Sequence, residues 1–520
     1  MRSTAPDLFV AELSPNALRA ASGDTDVTHI SSDAVVRSLE TSYLSGDVLL
    51  ATEALLPRTY SGKKIGVALI DSGVQPSANA RTAGMYDFTT GGAIEVEAQD
   101  AFGHGTHVSG LIASAGRTSD DAYAGIAPRT QLIALQVLDQ SGAGYTSNVI
   151  NAINFAIANR NALGIDVINL SLGHPIYEPA ASDPLVQAVE NAVAAGIVVV
   201  ASAGNFGGDP TTHETGYGGI TSPGNAPGAI TVGALETYYT VTRRDDDVAW
   251  YSSRGPTWYD GFQKPDLVAP GSHLVSDVPK TSTIATDYPG GLIKTNGPTN
   301  LMKLSGTSMA AGVVSGVVSL MLEASRTNHP GARLTPNTVK AILQYTAFPM
   351  ADYDTLTQGA GALNAGGAVA LAAAIDPNQP VGAWWLATDL GAWTTVGNET
   401  LAWGQHLVWG DRVIWGNQIY TNDEAWALRV VWGNRVVWGN RVIWGNSTVW
   451  DGNPALWANR VIWGNSLIGQ TDGTSVTWGS VSRDVTATRV VWGNVSDLHV
   501  APTSMSWGNL ERANGDLVSK

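Results

Sequence analysis

The sequence predicts an α/β protein, a doubly wound and mostly parallel sheet, with a C-terminal β-rich repeat unit. Three observations carry this. Short continuous apolar runs, rich in β-branched residues, recur through the middle of the chain, as parallel strands covered on both faces require. Helical patterns and glycine-rich turns separate these runs. Past residue 383 the character changes: 16 of the 18 Trp lie from Trp384 onward, many at a spacing of six.

In chain order, Lys64–Ile70 (KIGVALI) reads as a strand ending at Asp71. Gln131–Val137, Ile165–Ser171 and Ile197–Ser202 read the same way. Ser147–Leu163 is a helix pattern that brings Ile150, Ile153, Phe155 and Ile157 near one face. Asp183–Pro184 reads as a cap and first helical residue, with Gly196 as terminator. Ser308 precedes AAGVVSGVVSLMLEA, a further helix pattern. Strand–helix alternation implies right-handed crossovers. Functional residues then gather at the carboxyl ends of the strands, where Asp71 and Asn205 both fall. The chain divides into an N-terminal segment (1–40), the α/β domain (41–375), a Pro/Asn-rich linker (376–382) and the Trp-rich unit (383–520).

Composition narrows the function. With 520 residues, 44% hydrophobic and 14% charged, the chain can bury a large core and is not disordered as a whole. A net charge of −16 argues against nucleic acid as a partner. Cysteine is absent, so disulfides and thiolate metal sites are excluded. No run is long enough to be a membrane span, and MRSTAPDLFVAELSP has no apolar core of a signal peptide.

Three stretches carry chemistry: VALIDSGV with Asp71, GHGTHVSG with His104, and LSGTSMAAGVVSG with Ser308. A serine hydroxyl is a weak nucleophile until a base takes its proton. Imidazole, with an ordinary pKa near 6.5, does so near neutrality. A carboxylate fixes the imidazole tautomer and stabilises the imidazolium.

These flanks make the chain resemble the subtilisin-like serine peptidases, the subtilases. DSG around Asp71, HGTHVSG from His104 and GTSMA around Ser308 match that family's active-site motifs. SAGN (Ser202–Asn205) matches the stretch that carries its oxyanion asparagine. GIAP (Gly125–Pro128), NLSLG (Asn169–Gly173), SSRGP (Ser252–Pro256) and KPDLVAPG (Lys264–Gly271) agree as well, and the likeness covers about residues 60–375. The resemblance implies a subtilisin-like fold and an Asp71–His104–Ser308 triad, with the Asn205 side chain and the Ser308 N–H as oxyanion donors. It places Gly142, Ala143, Gly144 and Ser171, Leu172, Gly173 beside an extended substrate. Ala203 and Gly204 would line the pocket for the cleaved residue, with Thr221 near its base. No acidic residue falls on these positions, so an apolar side chain is expected there. The family usually has proline three or four residues after the serine; Ala311–Gly312 stands there instead.

Other residues have plainer expectations. His107 reads as structural, His174 as a surface turn residue or a substrate contact, and Asp266 as a turn carboxylate. Asp120–Asp121 and Asp245–Asp247 read as solvated loop carboxylates, with cation sites as the other reading; no metal ligand is assigned. Many subtilases bind structural calcium, but Arg117–Tyr123 lacks the family's asparagine-rich ligand pattern. No cofactor is required for the chemistry. Subtilases usually carry an inhibitory propeptide, and Asp26–Val36 resembles its last strand and exit; residues 1–40 are then a propeptide remnant, or else an ordinary extension.

The C-terminal hexad recurs as RVVWGN (Arg429–Asn434), RVVWGN (Arg435–Asn440) and RVIWGN (Arg441–Asn446). Six is a multiple of two, so in an extended chain each Trp and the Val two residues earlier share a face. Gly-Asn after each Trp is a turn signal. The Trp row is expected to be packed, to bind sugar or cell wall, or to serve as a secretion tail, and burial leads because exposed Trp would aggregate. The expected protein is an extracellular or cell-surface, zymogen-derived serine endopeptidase acting on proteins or peptides. The rival is a non-catalytic adhesion or wall-binding protein on the same scaffold.

Overall fold

The computed structural model describes residues 2–5, 8–38, 59–76, 82–115, 123–296, 299–378 and 390–409, and beyond these only the backbone of a few short strands. The central sheet holds seven parallel strands: β2 (Gly66–Asp71), β3 (Thr82–Asp87), β4 (Gln131–Gln136), β6 (Ile165–Leu170), β8 (Val198–Ser202), β10 (Ile230–Glu236) and β11 (Leu267–Pro270). Their order is β11, β10, β8, β6, β2, β4, β3, with Asp247–Val248 and Ile94–Val96 added antiparallel to β10 and β3. Strands β2, β6 and β8 are buried at every residue, which is why they read as unbroken apolar runs.

Helices cover the sheet. Helix α2 (Thr146–Ala158) buries Val149, Ile150 and Ile153 against it, while Phe155 and Ile157 pack partly buried on the same core. Helix α3 (Pro184–Ala194) begins where its cap predicts: Asp183 accepts from Leu185 N–H at 2.8 Å and Val186 N–H at 3.3 Å, and Gly196 at φ +80° follows its end. Helices α1 (His104–Ala113) and α4 (Thr307–Asn328) carry site residues, and α5 (Pro336–Thr346) and α6 (Ala365–Ala374) complete the layer. Among the described residues α4 alone is long and apolar enough to cross a membrane; it is the buried core helix of the domain.

A second sheet includes the chain's own N-terminal segment. Strand β1 (Val35–Ser38) lies antiparallel between β5 (Ala143–Tyr145) and β7 (Leu172–Pro175), and β9 (Thr221–Ser222) extends the sheet beyond β7. Strands β12 (Leu274–Pro279) and β13 (Thr299–Leu304) form a separate antiparallel pair leading into α4.

The chain separates into two compact units, residues 1–410 with 417–429, and 411–416 with 430–520. This division falls later than the 376–382 linker read from composition. The reason is a hairpin, Trp393–Val396 with Glu399–Ala402, followed by Trp403, which is buried against the α/β domain with its ring 6.3 Å from that of Tyr345. In the second unit, short parallel strands set Trp444 opposite Trp463, and Trp492 opposite both Trp478 and Trp507. The most regular hexads, Arg429–Asn440, lie outside the described residues.

Candidate active site

The site grows from the carboxyl end of β2. Asp71 is its last residue and fully buried. His104 opens α1, and its Nδ1 lies 2.8 Å and 3.0 Å from the two carboxylate oxygens of Asp71. That geometry fixes Nδ1 as the protonated nitrogen and leaves Nε2 to act as a base. Gly103 caps α1 at φ +106°, a conformation glycine adopts without strain. Gly105 is needed for closeness, since a Cβ there would sit 2.1 Å from the Gly73 carbonyl oxygen.

Behind this pair stands Asp100, a residue the sequence reading missed. It accepts from Ser72 Oγ at 2.9 Å, Gly103 N–H at 2.7 Å, and the N–H and hydroxyl of Thr106 at 2.8 and 2.6 Å. It thereby ties the exit of β2 to the start of α1. Burial pushes its carboxyl up, against the pull of the hydrogen bonds from Thr106 and Gly103. Its only sequence signal is an acidic residue four positions before His104.

Ser308 is the second residue of α4, fully buried, so its N–H is one of the first-turn amides without an intrahelical acceptor. Its hydroxyl donates to the Ser171 carbonyl at 3.0 Å, and the Ser171 hydroxyl donates to the Ser308 carbonyl at 3.1 Å. Asn205 follows β8 through Ala203 and Gly204, the latter at φ +110°. Its Oδ1 accepts from the N–H and hydroxyl of Thr307, and its Nδ2 is buried with no protein partner. The Ala311–Gly312 departure leaves α4 unbroken, and Gly312 packs on Val108.

The flanking segments named from the sequence hold β1. Arg37 pairs with both Ala143 and Gly173, Val36 with Gly144, and Ser38 with Leu172. Ser38 N–H donates to the Gly142 carbonyl at 3.2 Å, and the Asp33 carboxylate accepts from Ser147 N–H and hydroxyl, both at 2.8 Å. Val36 is fully buried in the apolar core beside Leu172. The glycines are present for the protein's own packing. A Cβ on Gly142 would meet the Phe102 ring at 2.4 Å, one on Gly144 the Val137 carbonyl oxygen at 2.2 Å, and one on Gly173 the Thr221 hydroxyl at 2.8 Å. Thr221 also lies against Gly204, where a Cβ would stand 2.9 Å from its methyl group.

Several expectations change. His107 is structural, as read: it is fully buried, Nε2 donates to the Met302 carbonyl at 2.9 Å, and burial pulls its pKa down to about 3. His174 is not a surface turn residue; it is buried in β7 and stacks on Tyr177 at 5.4 Å. Asp266 is a structural carboxylate. It is fully buried between Lys264 at 2.8 Å and Lys340 at 2.9 Å, and Gln344 also donates to it. The run Asp245–Asp247 splits three ways: Asp245 accepts from Thr240, Asp246 pairs with Arg243 at 3.1 Å, and Asp247 accepts from Tyr238 and Tyr353. Asp120–Asp121 lies outside the described residues. Among the described residues no group of three or more His, Asp or Glu is placed to hold a metal ion.

Comparisons with known proteins place the sequence in a family. The subtilase family model matches residues 62–370. Serine protease AprX of Bacillus subtilis (strain 168) is 36% identical over 324 residues, covering 59% of this chain and 66% of that protein. Subtilisin E of the same organism is 33% identical over 320 residues, covering 60% and 69%. Fervidolysin of Fervidobacterium pennivorans, a keratinolytic enzyme related to subtilisin, matches in structure with a TM-score of 0.48 and 27% identity, over 62% of this chain and 45% of its own. The match thus spans about two thirds of the two Bacillus proteins and under half of fervidolysin. A parallel sheet with a buried His–Asp pair and a serine at a helix start defines a serine hydrolase of the subtilisin type. The chain belongs to the subtilase family and is by class a subtilisin-like serine endopeptidase.

Proposed function

We propose that Asp71, His104 and Ser308 form the catalytic triad and that Asn205 completes the oxyanion hole. The observation that carries this is the buried His104–Asp71 contact at 2.8 Å beside a serine at the start of α4. The Ser308 hydroxyl turns from the Ser171 carbonyl to His104 Nε2, which takes its proton as Oγ attacks the scissile carbonyl carbon. Asn205 Nδ2 and the Ser308 N–H stabilise the oxyanion, and the helix N-terminus adds to that field. His104 then protonates the leaving amine. Water, deprotonated by His104, attacks the acyl-enzyme, and Ser308 regains its proton.

The N-terminal segment is read as the end of a propeptide lying where substrate lies. Antiparallel pairing gives the register: Arg37 faces Gly173 and Ser38 faces Leu172, the residue after Ser171, whose carbonyl receives the Ser308 hydroxyl. The pocket for the cleaved residue carries no acidic group, which suits an apolar preference there. Thr221, wedged between Gly173 and Gly204, narrows that pocket and favours medium over large side chains. Secretion completes the reading; the Trp repeats are read first as packing, with contact to cell wall or polysaccharide as the alternative.

Hydrolysis of casein by the purified protein, blocked by a serine-directed inhibitor and absent in Ser308→Ala, is the test. Unchanged hydrolysis by Ser308→Ala overturns the mechanism.

A further inference from the structure

Next to the loop that carries Ser308 lies a cavity of about 530 Å³. It sits at the carboxyl ends of β10 and β11, the end of the sheet where Asp71 and Asn205 also stand. Its wall is bonded to the nucleophile's loop. His273 N–H donates to Ser305 Oγ at 2.8 Å, and Gly306 N–H donates to the Gly271 carbonyl at 2.8 Å.

The lining is both aromatic and anionic. Tyr238, Trp250 and Tyr353 supply ring surface, and Glu236 and Asp247 supply charge. Asp247 accepts from the hydroxyls of Tyr238 and Tyr353, each at 2.8 Å. Both phenols are pushed up to about 12, Tyr238 chiefly by that hydrogen bond and Tyr353 chiefly by burial, so they stay neutral donors and the charge remains on Asp247. Glu236 lies 3.1 Å from His273 Nδ1. Arg254 also lines the cavity, with its guanidinium turned to the Gly207 carbonyl, and the nearby Arg243 pairs with Asp246. Asp246, just behind, reports the local field. Its pKa is pushed up to about 7, first by burial and then, against Arg243, by Asp245, Asp247 and Glu236.

The backbone around the cavity is strained. Of eight non-glycine residues at positive φ among the described residues, Tyr238, Tyr239 and His273 cluster here. Such conformations are unfavourable for residues with a Cβ and gather at ligand sites.

We propose that this cavity is a subsite for a positively charged side chain, arginine or lysine, on the leaving-group side of the substrate. Carboxylates flanked by aromatic faces, at the edge of a cleft, suit a guanidinium or ammonium group. The acyl side is already defined by β1 between β5 and β7, and no residue of those strands lines the cavity. A peptide continuing past Ser308 therefore meets the cavity with its leaving half. The inference rests on the peptidase reading of Ser308.

The test has two arms. In the first, the processed wild-type protein cleaves internally quenched peptides that share one acyl side and carry Arg, Lys, Ala or Glu at each of the first three positions after the cleaved bond. At one position Arg or Lys should raise kcat/KM about tenfold over Ala, with Glu below Ala. The Arg-to-Ala ratio should collapse toward one in Glu236→Gln/Asp247→Asn and shrink in high salt. Equal rates for all four residues, or a ratio that the double variant keeps, overturn the inference. The second arm does not need activity. Millimolar arginine amide should raise the melting temperature of Ser308→Ala and not of the triple variant. If calcium alone does so, the cavity is a metal site and the inference falls. If no peptide is cleaved but arginine amide still stabilises through Glu236 and Asp247, the cation subsite stands and the peptidase reading fails.

Discussion

Asn205 and Thr307 are joined twice: the carboxamide oxygen of Asn205 accepts from both the N–H and the hydroxyl of Thr307, each at 3.0 Å. The same hydroxyl accepts from Gly204 N–H at 3.1 Å. The carboxamide cannot turn over without losing both donors, so Nδ2 stays pointed away from Thr307 and is left without a protein partner. In the proposed mechanism Thr307 thereby prepares a donor for the oxyanion before substrate arrives, which is where such donors gain their advantage.

Asn205→Ala should lower kcat by about 10²–10³, the loss known for the oxyanion asparagine of subtilisin. Thr307→Val keeps the N–H and loses the hydroxyl; kcat should fall about tenfold with KM little changed. In an Asn205→Ala background the Thr307→Val change should cost almost nothing more, because Thr307 acts through Asn205. Kinetics of the four proteins on one peptide decide this. Equal losses in both backgrounds would show that Thr307 acts by another route.

The position of β1 makes processing local. An active preparation should cut its own chain within Arg37–Asp47, and Ser308→Ala should remain whole. Intact-mass spectrometry reads both. Fully active enzyme that keeps its N-terminal segment attached sinks the propeptide reading.

Much of this site was legible because its chemistry lives in short contiguous motifs. Asp71, His104, Asn205 and Ser308 each sit in a stretch whose flanking glycines betray backbone crowding, such as Gly105 against Gly73. The strands were legible because burial on both faces leaves an unbroken apolar run, and α3 because Asp183–Pro184 caps it. What was hidden depends on pairs distant in sequence. Asp266 reads as a turn carboxylate until Lys340, 74 positions on, is folded against it. Asp100 is one acidic residue among 45 until Ser72 and Thr106 converge on it. The packing role of Gly142 and Gly144 was hidden in the same way: only the fold shows that Phe102 and the Val137 carbonyl occupy the space beside them.

His107 should make the domain acid-sensitive. Burial and, to a lesser degree, His104 hold it neutral, with a pKa of about 3 against an ordinary value of 6.5. The unfolded chain therefore binds more protons than the folded one between pH 6.5 and 3, so stability is present above that window and is lost as pH falls through it. At pH 4.5 the loss should be on the order of 2–3 kcal/mol. Denaturant melts of Ser308→Ala, used to prevent self-digestion, should show this slope, and His107→Gln should flatten its share. A slope unchanged by His107→Gln assigns the acid sensitivity to other groups.

Trp403 tests whether the Trp-rich segment begins as packing. Its ring is 6% exposed, meets Tyr345 edge-on at 6.3 Å, and donates from Nε1 to Thr394 Oγ1 at 2.8 Å. The adjoining backbone is tied to α5, since Gly404 N–H donates to the Ala347 carbonyl and Gln405 N–H to that of Tyr345. Removing the ring leaves a cavity over α5 and takes one of two donors from the Thr394 hydroxyl, which keeps that of Asn364, and buried Trp→Ala changes cost about 3–5 kcal/mol. The loss should fall first on the hairpin, which meets the domain through this ring, a few backbone bonds and the side chains of Thr394 and Glu399, whereas Asp71, His104 and Ser308 stand on the elements of the central sheet. Trp403→Ala should therefore open the chain near residues 390–409 to limited proteolysis and lower the melting temperature, while kcat/KM on short peptides stays within about twofold. A sugar-binding ring would behave oppositely, sparing stability and weakening retention on polysaccharide. If Trp403→Ala melts and resists proteolysis like the wild type, this Trp is not packing, and the case for a packed Trp row loses its first member.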